Sequence, residues 1–512
     1  MLILAAGAGW WLAQRHSSRA ELAVNSAAPD VLQLGRLHLE PCSIGRTDIG
    51  VATARAYCTA FQVPEDHHRP DGRKIRLKVA IVPAESAEAA RDLVVFLDGG
   101  PGGAATADYP AIAPAFAPLR KRHALLLVDQ RGTGGSGALD CASARNEAKP
   151  AGATQAADTT SPETARAADA AALARLRECV AQLAPRAAPQ FYATTDAVAD
   201  LEDLRLALGG PPFDLIGVSY GTRVAQQYAK AHGDAVRALV LDSAVPNDLA
   251  LGGEHARNLE DVLQALFARC RAQSPCADRY GDPYRTLREL QSKLRVRPQQ
   301  VSLRDPYTFR MREQRVTADT LAQLVRVYAY NPYTAALLPY LLREAAAGDY
   351  APLLNQSQVV VDDVADSLNG GMALSVICAE DADRLRADPA DQDTVLGNSL
   401  PLSLVAACAI WPHGARPPDF GQPLRSGVPA LVLAGEHDPV TPPRYGRQIA
   451  AKLPRARFLQ LAGQGHGLLA VGCVPHLLSE FIRTLDARGL DTHCLDTLAS
   501  APPFLDANGS GP

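Results

Sequence analysis

From residue 75 onward the chain alternates short apolar runs with longer stretches whose apolar positions recur at helical spacing. Short apolar runs bounded by turn residues read as strands, and their alternation with helices is the pattern of a parallel α/β sheet. Residues 75–83 (IRLKVAIVP) alternate apolar and polar positions, whereas 93–97 (LVVFL) and 124–128 (ALLLV) are continuous, as in strands buried on both faces. Each continuous run opens into a glycine-rich turn, DGGPGG from Asp98 and DQRGTGGSG from Asp129. Residues 144–172, rich in Ala, Thr, Asp and Pro, read as an exposed excursion, and helical character returns over 171–183 and 195–208. Residues 213–221 (FDLIGVSYG) predict a strand running into a tight turn, followed by a helix over 222–232 and a strand at 238–241.

That rhythm breaks between 250 and 400. Leu259, Val262, Leu263 and Leu266, then Leu321, Leu324, Val325, Val327 and Tyr328, repeat at helical spacing and predict a mainly helical insertion. Alternation resumes with a strand at 430–434 (ALVLA), a helix over 444–453, a strand at 457–461 (RFLQL) and a helix over 475–488. The expected organisation is a first core part over 31–249, a helical cap over 250–400, a second core part over 401–494 and a loose tail over 495–512. Residues 1–30 are set outside the fold. The apolar run over 1–13 is shorter than the ~20 residues a bilayer span needs, so it predicts an export signal or an N-terminal anchor, with a buried helix as the alternative.

Composition narrows the function classes. With 47% hydrophobic and 21% charged residues and a net charge of −4, the 512-residue chain has an ordinary globular balance. It has no basic stripe with interleaved aromatics and no zinc-type Cys/His spacing, so neither nucleic acid nor a metal is expected as a partner. Ten cysteines, an even number behind a candidate export signal, predict disulfides and an oxidising compartment. Pairing between sequence neighbours is expected, Cys42–Cys58, Cys141–Cys179, Cys270–Cys276, Cys378–Cys408 and Cys473–Cys494, since each closes a modest loop.

The chemistry centres on Gly217-Val218-Ser219-Tyr220-Gly221. A G-x-S-x-G pentapeptide is common by chance, but here an apolar strand precedes it and a helix follows, the context of a nucleophile elbow. A serine hydroxyl needs an adjacent base, and in such a fold an acid and then a histidine follow at later strand ends. Asp438 stands just past ALVLA in GEHDPVTP, and His466 just past RFLQL in GQGHG. Glu436 is a rival acid; His437 is a rival base but precedes Asp438 and shares its turn. The backbone N–H groups of Tyr220 and Gly100 are the candidate oxyanion hole. Phosphate cradling by DGGPGG is the weaker alternative, as the loop lacks the G-K-[ST] ending and the G-x-G-x-x-G spacing.

Taken together, GGPGG, DQRGTGGSG, GVSYGT, GEHDPVTP and GQGHG resemble the proline iminopeptidase and tripeptidyl aminopeptidase group of α/β-hydrolases. The ten cysteines and C-terminal extension resemble its exported tripeptidyl branch. The resemblance implies an α/β-hydrolase fold, a mostly parallel central sheet with an inserted, mainly helical cap. It also implies a serine aminopeptidase acting on peptides with a free N-terminus, and a carboxylate in or beside the cap to hold the substrate ammonium; a monomer without a cofactor is expected. Glu380 and then Asp381 are the candidates, with a solvated acidic pair as the bland alternative. Asp98 replaces the histidine of many iminopeptidases (HGGPG). Arg131 is expected to brace its loop. An esterase or other acyl hydrolase with the same triad, and a catalytically retired exported binding protein, are the remaining alternatives.

Overall fold

The computed structural model describes residues 31–46, 52–86, 92–141, 162–304, 309–355 and 370–510; the apolar N-terminal run and much of the expected excursion lie outside them. Ten strands form one sheet, introduced here in chain order: β1 (Leu32–Leu34), β2 (Leu37–Ile44), β3 (Ala54–Pro64), β4 (Lys74–Val82), β5 (Leu93–Leu97), β6 (Ala124–Val128), β7 (Phe213–Val218) and β8 (Val236–Asp242), with β9 (Gln299–Arg304) and β10 (Met311–Val316) lying apart as a hairpin, then β11 (Ala430–Gly435) and β12 (Ala456–Leu461). The order across the sheet is β1-β2-β3-β4-β6-β5-β7-β8-β11-β12. From β6 to β12 every neighbouring pair is parallel, while β1 to β4 add an antiparallel edge that joins at β6.

Successive side chains of a strand face opposite ways, so a strand covered on both sides must be apolar at every position. Strand β5 shows this. Leu93, Val95 and Leu97 join the core that holds Leu201 and Leu204 of helix Thr194–Ala207 and Val224 and Tyr228 of helix Tyr220–Ala231. Val94 and Phe96 join the opposite core, with Tyr109 and Phe116 of helix Ala105–Arg120 and Leu478 and Phe481 of helix Val474–Thr484. The sequence pattern did not disclose β1 to β3; β1 is only three residues long, and β2 and β3 carry charged and proline residues and bury side chains irregularly.

A third core lies in the segment between β8 and β11. There Leu259, Leu263, Leu290, Leu321, Val325 and Leu338 pack together from helices His255–Ala272, Pro283–Val296, Ala318–Ala329 and Pro332–Ala346. Two expectations need correction. The boundary at 400 falls inside helix Ser399–Cys408, which Cys378–Cys408 ties to helix Gly370–Glu380, whose Met372 and Val376 belong to a core of the main sheet. The tail is not loose: the Phe504 N–H donates to the Ala336 carbonyl (3.0 Å), and the Tyr280 hydroxyl donates to the carbonyls of Phe504 (2.9 Å) and Leu505 (2.6 Å). Proline and glycine there end regular structure without preventing docking. Helix Pro162–Leu183 also begins well before 171.

All ten cysteines are paired, Cys42–Cys58, Cys141–Cys179, Cys270–Cys276, Cys378–Cys408 and Cys473–Cys494, as neighbour pairing expects. Among the described residues no helix is long and apolar enough to cross a membrane.

Candidate active site

Strand β7 ends at Val218 and the next helix begins at Tyr220, so Ser219 alone turns the chain. It does so at φ 54°, ψ −122°, a backbone region costly for any residue with a side chain. Its neighbours leave no room. A Cβ on Gly217 would lie 2.5 Å from the Gly221 carbonyl oxygen, and one on Gly221 would lie 2.1 Å from that of Leu97. The two flanking glycines are therefore required by the close approach of backbone to backbone.

Topology places this turn in a crevice. β5 neighbours β6 on one side and β7 on the other, so the connections leaving β5 and β7 part at that point, where open α/β sheets bind ligands. The DGGPGG loop leaves β5 there, and a Cβ on Gly99 would lie 3.1 Å from the Ser219 Cβ and 3.8 Å from its Oγ. Gly100, at φ 114°, lines a cavity of about 280 Å³ together with Pro101, Ser219 and Tyr220. The Tyr220 N–H opens its helix and has no acceptor one turn back.

Asp438 and His466 meet at the ends of β11 and β12. His466 Nδ1 lies 2.8 Å from Asp438 Oδ2. The other carboxylate oxygen accepts from the N–H groups of Val440 (2.9 Å) and Thr441 (2.8 Å), an arrangement shaped by the Asp-Pro turn. The Thr441 hydroxyl donates to Asp438 Oδ2 (2.7 Å) and lies 3.2 Å from His466 Nδ1. Burial works against the Asp438 charge, but His466 and these donors overcome it and hold the carboxyl below its ordinary value. Burial likewise disfavours the His466 cation, yet the negative charge of Asp438, with Asp242 behind it, raises its pKa above the usual histidine value. The rival residues are turned elsewhere: Glu436 accepts from the Gly463 N–H (2.7 Å), and His437 lies with Gly463, Ser500 and Ala501.

Ser219 and His466 are not hydrogen-bonded to each other; such bonds are often open without substrate. What joins their loops is the end of β8. The Ser219 N–H donates to the Asp242 carbonyl (2.9 Å), while the Asp242 carboxylate accepts from the N–H groups of Leu468 (2.6 Å) and Leu469 (3.0 Å). The Ser243 hydroxyl accepts from the Gly467 N–H (2.9 Å). Sequence reading passed over Asp242 and Ser243, though two polar residues closing the apolar run ALVL were a usable signal. The cap also takes part: the Tyr330 carbonyl accepts from the His466 N–H (2.8 Å), and the two rings meet edge to face at 5.4 Å.

Glu380 and Asp381 lie elsewhere than expected. Both are buried and neither lines the cavity, which helix Gly370–Glu380 reaches through Gly370, Ala373 and Ile377. Arg223 Nη1 lies 2.9 Å from Asp381 Oδ2 and 3.3 Å from Glu380 Oε2, and the Thr194 N–H donates to Glu380 Oε1 (2.7 Å). To hold an ammonium either carboxylate would first have to give up Arg223. Arg131 braces as expected, with Nε donating to Asp200 (2.7 Å) and Nη1 to the Glu65 carbonyl (2.8 Å). Among the described residues no cluster of His, Cys, Asp and Glu could hold a metal ion.

The chain is similar to several known proteins. Serine protease Hip1 of Mycobacterium tuberculosis is 25% identical over 483 residues, covering 86% of this chain and 88% of its own. A tripeptidyl aminopeptidase of Streptomyces coelicolor is 29% identical over 195 residues, 37% of this chain and 35% of the relative. The solved structure of a proline iminopeptidase from Mycobacterium smegmatis aligns over 84% of this chain and 99% of its own at 16% identity, with a TM-score of 0.40. The model of the alpha/beta hydrolase fold matches residues 92–472, most of the chain, which therefore belongs to the α/β-hydrolase family.

Proposed function

We propose that this hydrolase is an exported serine aminopeptidase that cleaves peptide bonds near a free N-terminus through a Ser219–His466–Asp438 triad. The observation that carries the proposal is Ser219, held at positive φ over a cavity at the sheet's switch point, with the His466–Asp438 pair on neighbouring strand ends. Ser219 attacks the scissile carbonyl while His466 takes its proton, and Asp438 fixes the ring so that the nitrogen facing substrate is the basic one. The tetrahedral oxyanion rests on the N–H groups of Gly100 and Tyr220, each donor supplying ~3–4 kcal/mol. His466 then protonates the leaving amine, and water releases the acyl group from Ser219. The relatives named as serine protease and tripeptidyl aminopeptidase support the peptidase class. His255, Asn258 and Arg326 of the segment above the sheet face the same cavity, which favours a chain end over a chain middle. Five disulfides support export.

Ser219→Ala tests the proposal. Hydrolysis of unblocked peptidyl arylamides should fall by about three to six orders of magnitude with the thermal midpoint preserved; near-normal turnover would sink the assignment. Acetylating the substrate N-terminus should abolish cleavage, and indifference to it would favour an esterase.

A further inference from the structure

The cavity beside Ser219 holds a charge that the reaction above leaves unused. Among the described residues its charged side chains are Glu254 and Arg326, and His255 lines it as well. Glu254 is already engaged: its Oε2 accepts from the Tyr445 hydroxyl (2.6 Å) and from Arg444 Nη2 (3.2 Å). Arg326 is not. Among the described residues its guanidinium has one polar contact, Nη2 to the Tyr330 hydroxyl at 3.4 Å, and no carboxylate partner. Arg131, Arg223, Arg257 and Arg384, by contrast, each pair with an aspartate.

A second observation points at the same spot. His255, the first residue of helix His255–Ala272, lines the cavity with its Nδ1 buried and without a hydrogen-bond partner. Burial, reinforced by the positive charge of Arg326 and by His466, pushes its pKa down to about 3, so the ring stays neutral and, among the described residues, Arg326 is the cation lining the cavity that has no carboxylate partner. The His255 ring, lining the cavity, has a hydrogen bond still to make. A guanidinium fork and a neutral imidazole N–H are together suited to a planar carboxylate, which takes two donors from the first and one from the second.

We infer that Arg326 and His255 form a subsite for a substrate carboxylate, so that the cavity selects peptides bearing a negative charge close to the scissile bond. The inference rests on the peptidase reading for what is cleaved, but not for what is bound. That carboxylate has two sources, an acidic side chain or the free C-terminus of a short peptide. The position of Arg326 also ties recognition to the base, because Tyr330, one helical turn on, supplies the carbonyl that holds the His466 backbone.

Matched peptides decide the matter: Glu against Gln beside the scissile bond, and free-acid against amidated C-termini. Each is measured as substrate and as competitor of fluorophosphonate labelling at Ser219. The unaltered chain should favour the carboxylate member of at least one pair by about tenfold in kcat/KM, chiefly through KM. The pair that shows the preference identifies the source. Arg326→Gln should bring that ratio to within about twofold, and Arg326→Lys should restore part of it. A ratio near one in the unaltered chain, or an unchanged ratio in Arg326→Gln, overturns the inference. If labelling proceeds and no peptide is cleaved, the peptidase reading fails, and the competition ratio alone still decides the subsite. Should Arg326→Gln not fold, Arg326→Met is read in the same assay, and the acid-to-amide ratio of the unaltered chain already decides whether a preference exists.

Discussion

Two buried carboxylate clusters lie near Ser219, and the difference between them is the partner each has been given. Asp438 faces an imidazole, whereas Glu380 and Asp381 face the guanidinium of Arg223. All three carboxylates are buried and hydrogen-bonded, so neither exposure nor bond count separates them. Titration does. An imidazole changes charge near neutral pH and can pass a proton on, but a guanidinium keeps its charge throughout the working range. In the proposed mechanism the Asp438 cluster therefore lets charge move. The Arg223 cluster is built to keep it still, tying helix Tyr220–Ala231 to helix Gly370–Glu380 and, through Leu251, to the start of the cap.

The largest expected effect removes the charge behind the imidazole. Asp438→Asn keeps the shape of the side chain but cannot stabilise the imidazolium, and should lower kcat by about 10⁴. It also carries a pH signature. The proposed mechanism needs neutral His466, so activity should rise with pH through a pKa held above the usual histidine value by Asp438 and Asp242. With Asp438 neutral, the midpoint of the rate profile should move to lower pH. The stability consequence has the opposite sense. A histidine with a raised folded pKa contributes stability fully below its unfolded value of about 6.5, and that contribution fades as pH rises through the folded value. Urea midpoints of the unaltered chain should show this loss, and Asp438→Asn should flatten it. A pH–rate midpoint that does not move in the variant would break the comparison.

Next in size is the static cluster. Arg223→Met leaves Glu380 buried without a cation and Asp381 with Arg384 alone, a change that costs about 3–5 kcal/mol. Burial already lifts Glu380 to about 7, with Asp381 adding to the rise and Arg223 resisting it. For a chain of 512 residues the thermal midpoint should fall by roughly 3–5 °C. Adding Glu380→Gln and Asp381→Asn should recover much of the loss, since no uncompensated charge is then left buried. Calorimetry of the single and triple variants checks both steps. If Arg223→Met left stability unchanged and selectively lowered kcat, the cluster would belong to the chemistry and the distinction drawn above would fail.

This distinction was half legible in the sequence. Asp438 was found because it follows an apolar strand and precedes a proline, and His466 because it follows the next strand; both positions are dictated by local pattern. Glu380 was legible as an acid near the cap border but not as a partner of Arg223, because that contact spans 157 positions and nothing local announces it. The same limit hid Asp242, whose carboxylate holds the loop of His466 from 226 residues away. Strands covered on both faces wrote themselves plainly as LVVFL and ALLLV. The antiparallel strands β1 to β3 and the hairpin β9/β10 did not, since their exposed faces carry the mixed polarity of loops. Gly217 and Gly221 were legible as a motif; why they must be glycine was not, until the neighbouring carbonyls were seen within 2.5 Å of a notional Cβ.

The smallest expected effect probes how finely the mobile-charge cluster is set. The Thr441 hydroxyl donates to the same Asp438 oxygen that receives His466 Nδ1, so it both helps keep the carboxylate ionised and fixes its plane. Thr441→Val has nearly the same shape, keeps the backbone N–H that donates to the other oxygen, and removes only this donor. One charge-assisted hydrogen bond is worth about 1.5–3 kcal/mol, but the remaining donors absorb part of its loss, so kcat should fall by about tenfold with KM little changed. Thr441→Ser restores the donor and should restore most of the rate. A role confined to packing predicts the reverse order, because valine fills the space that serine leaves. Steady-state kinetics of the two variants, read against their thermal midpoints, therefore separates a hydroxyl that sets the charge on Asp438 from a side chain that merely occupies the turn.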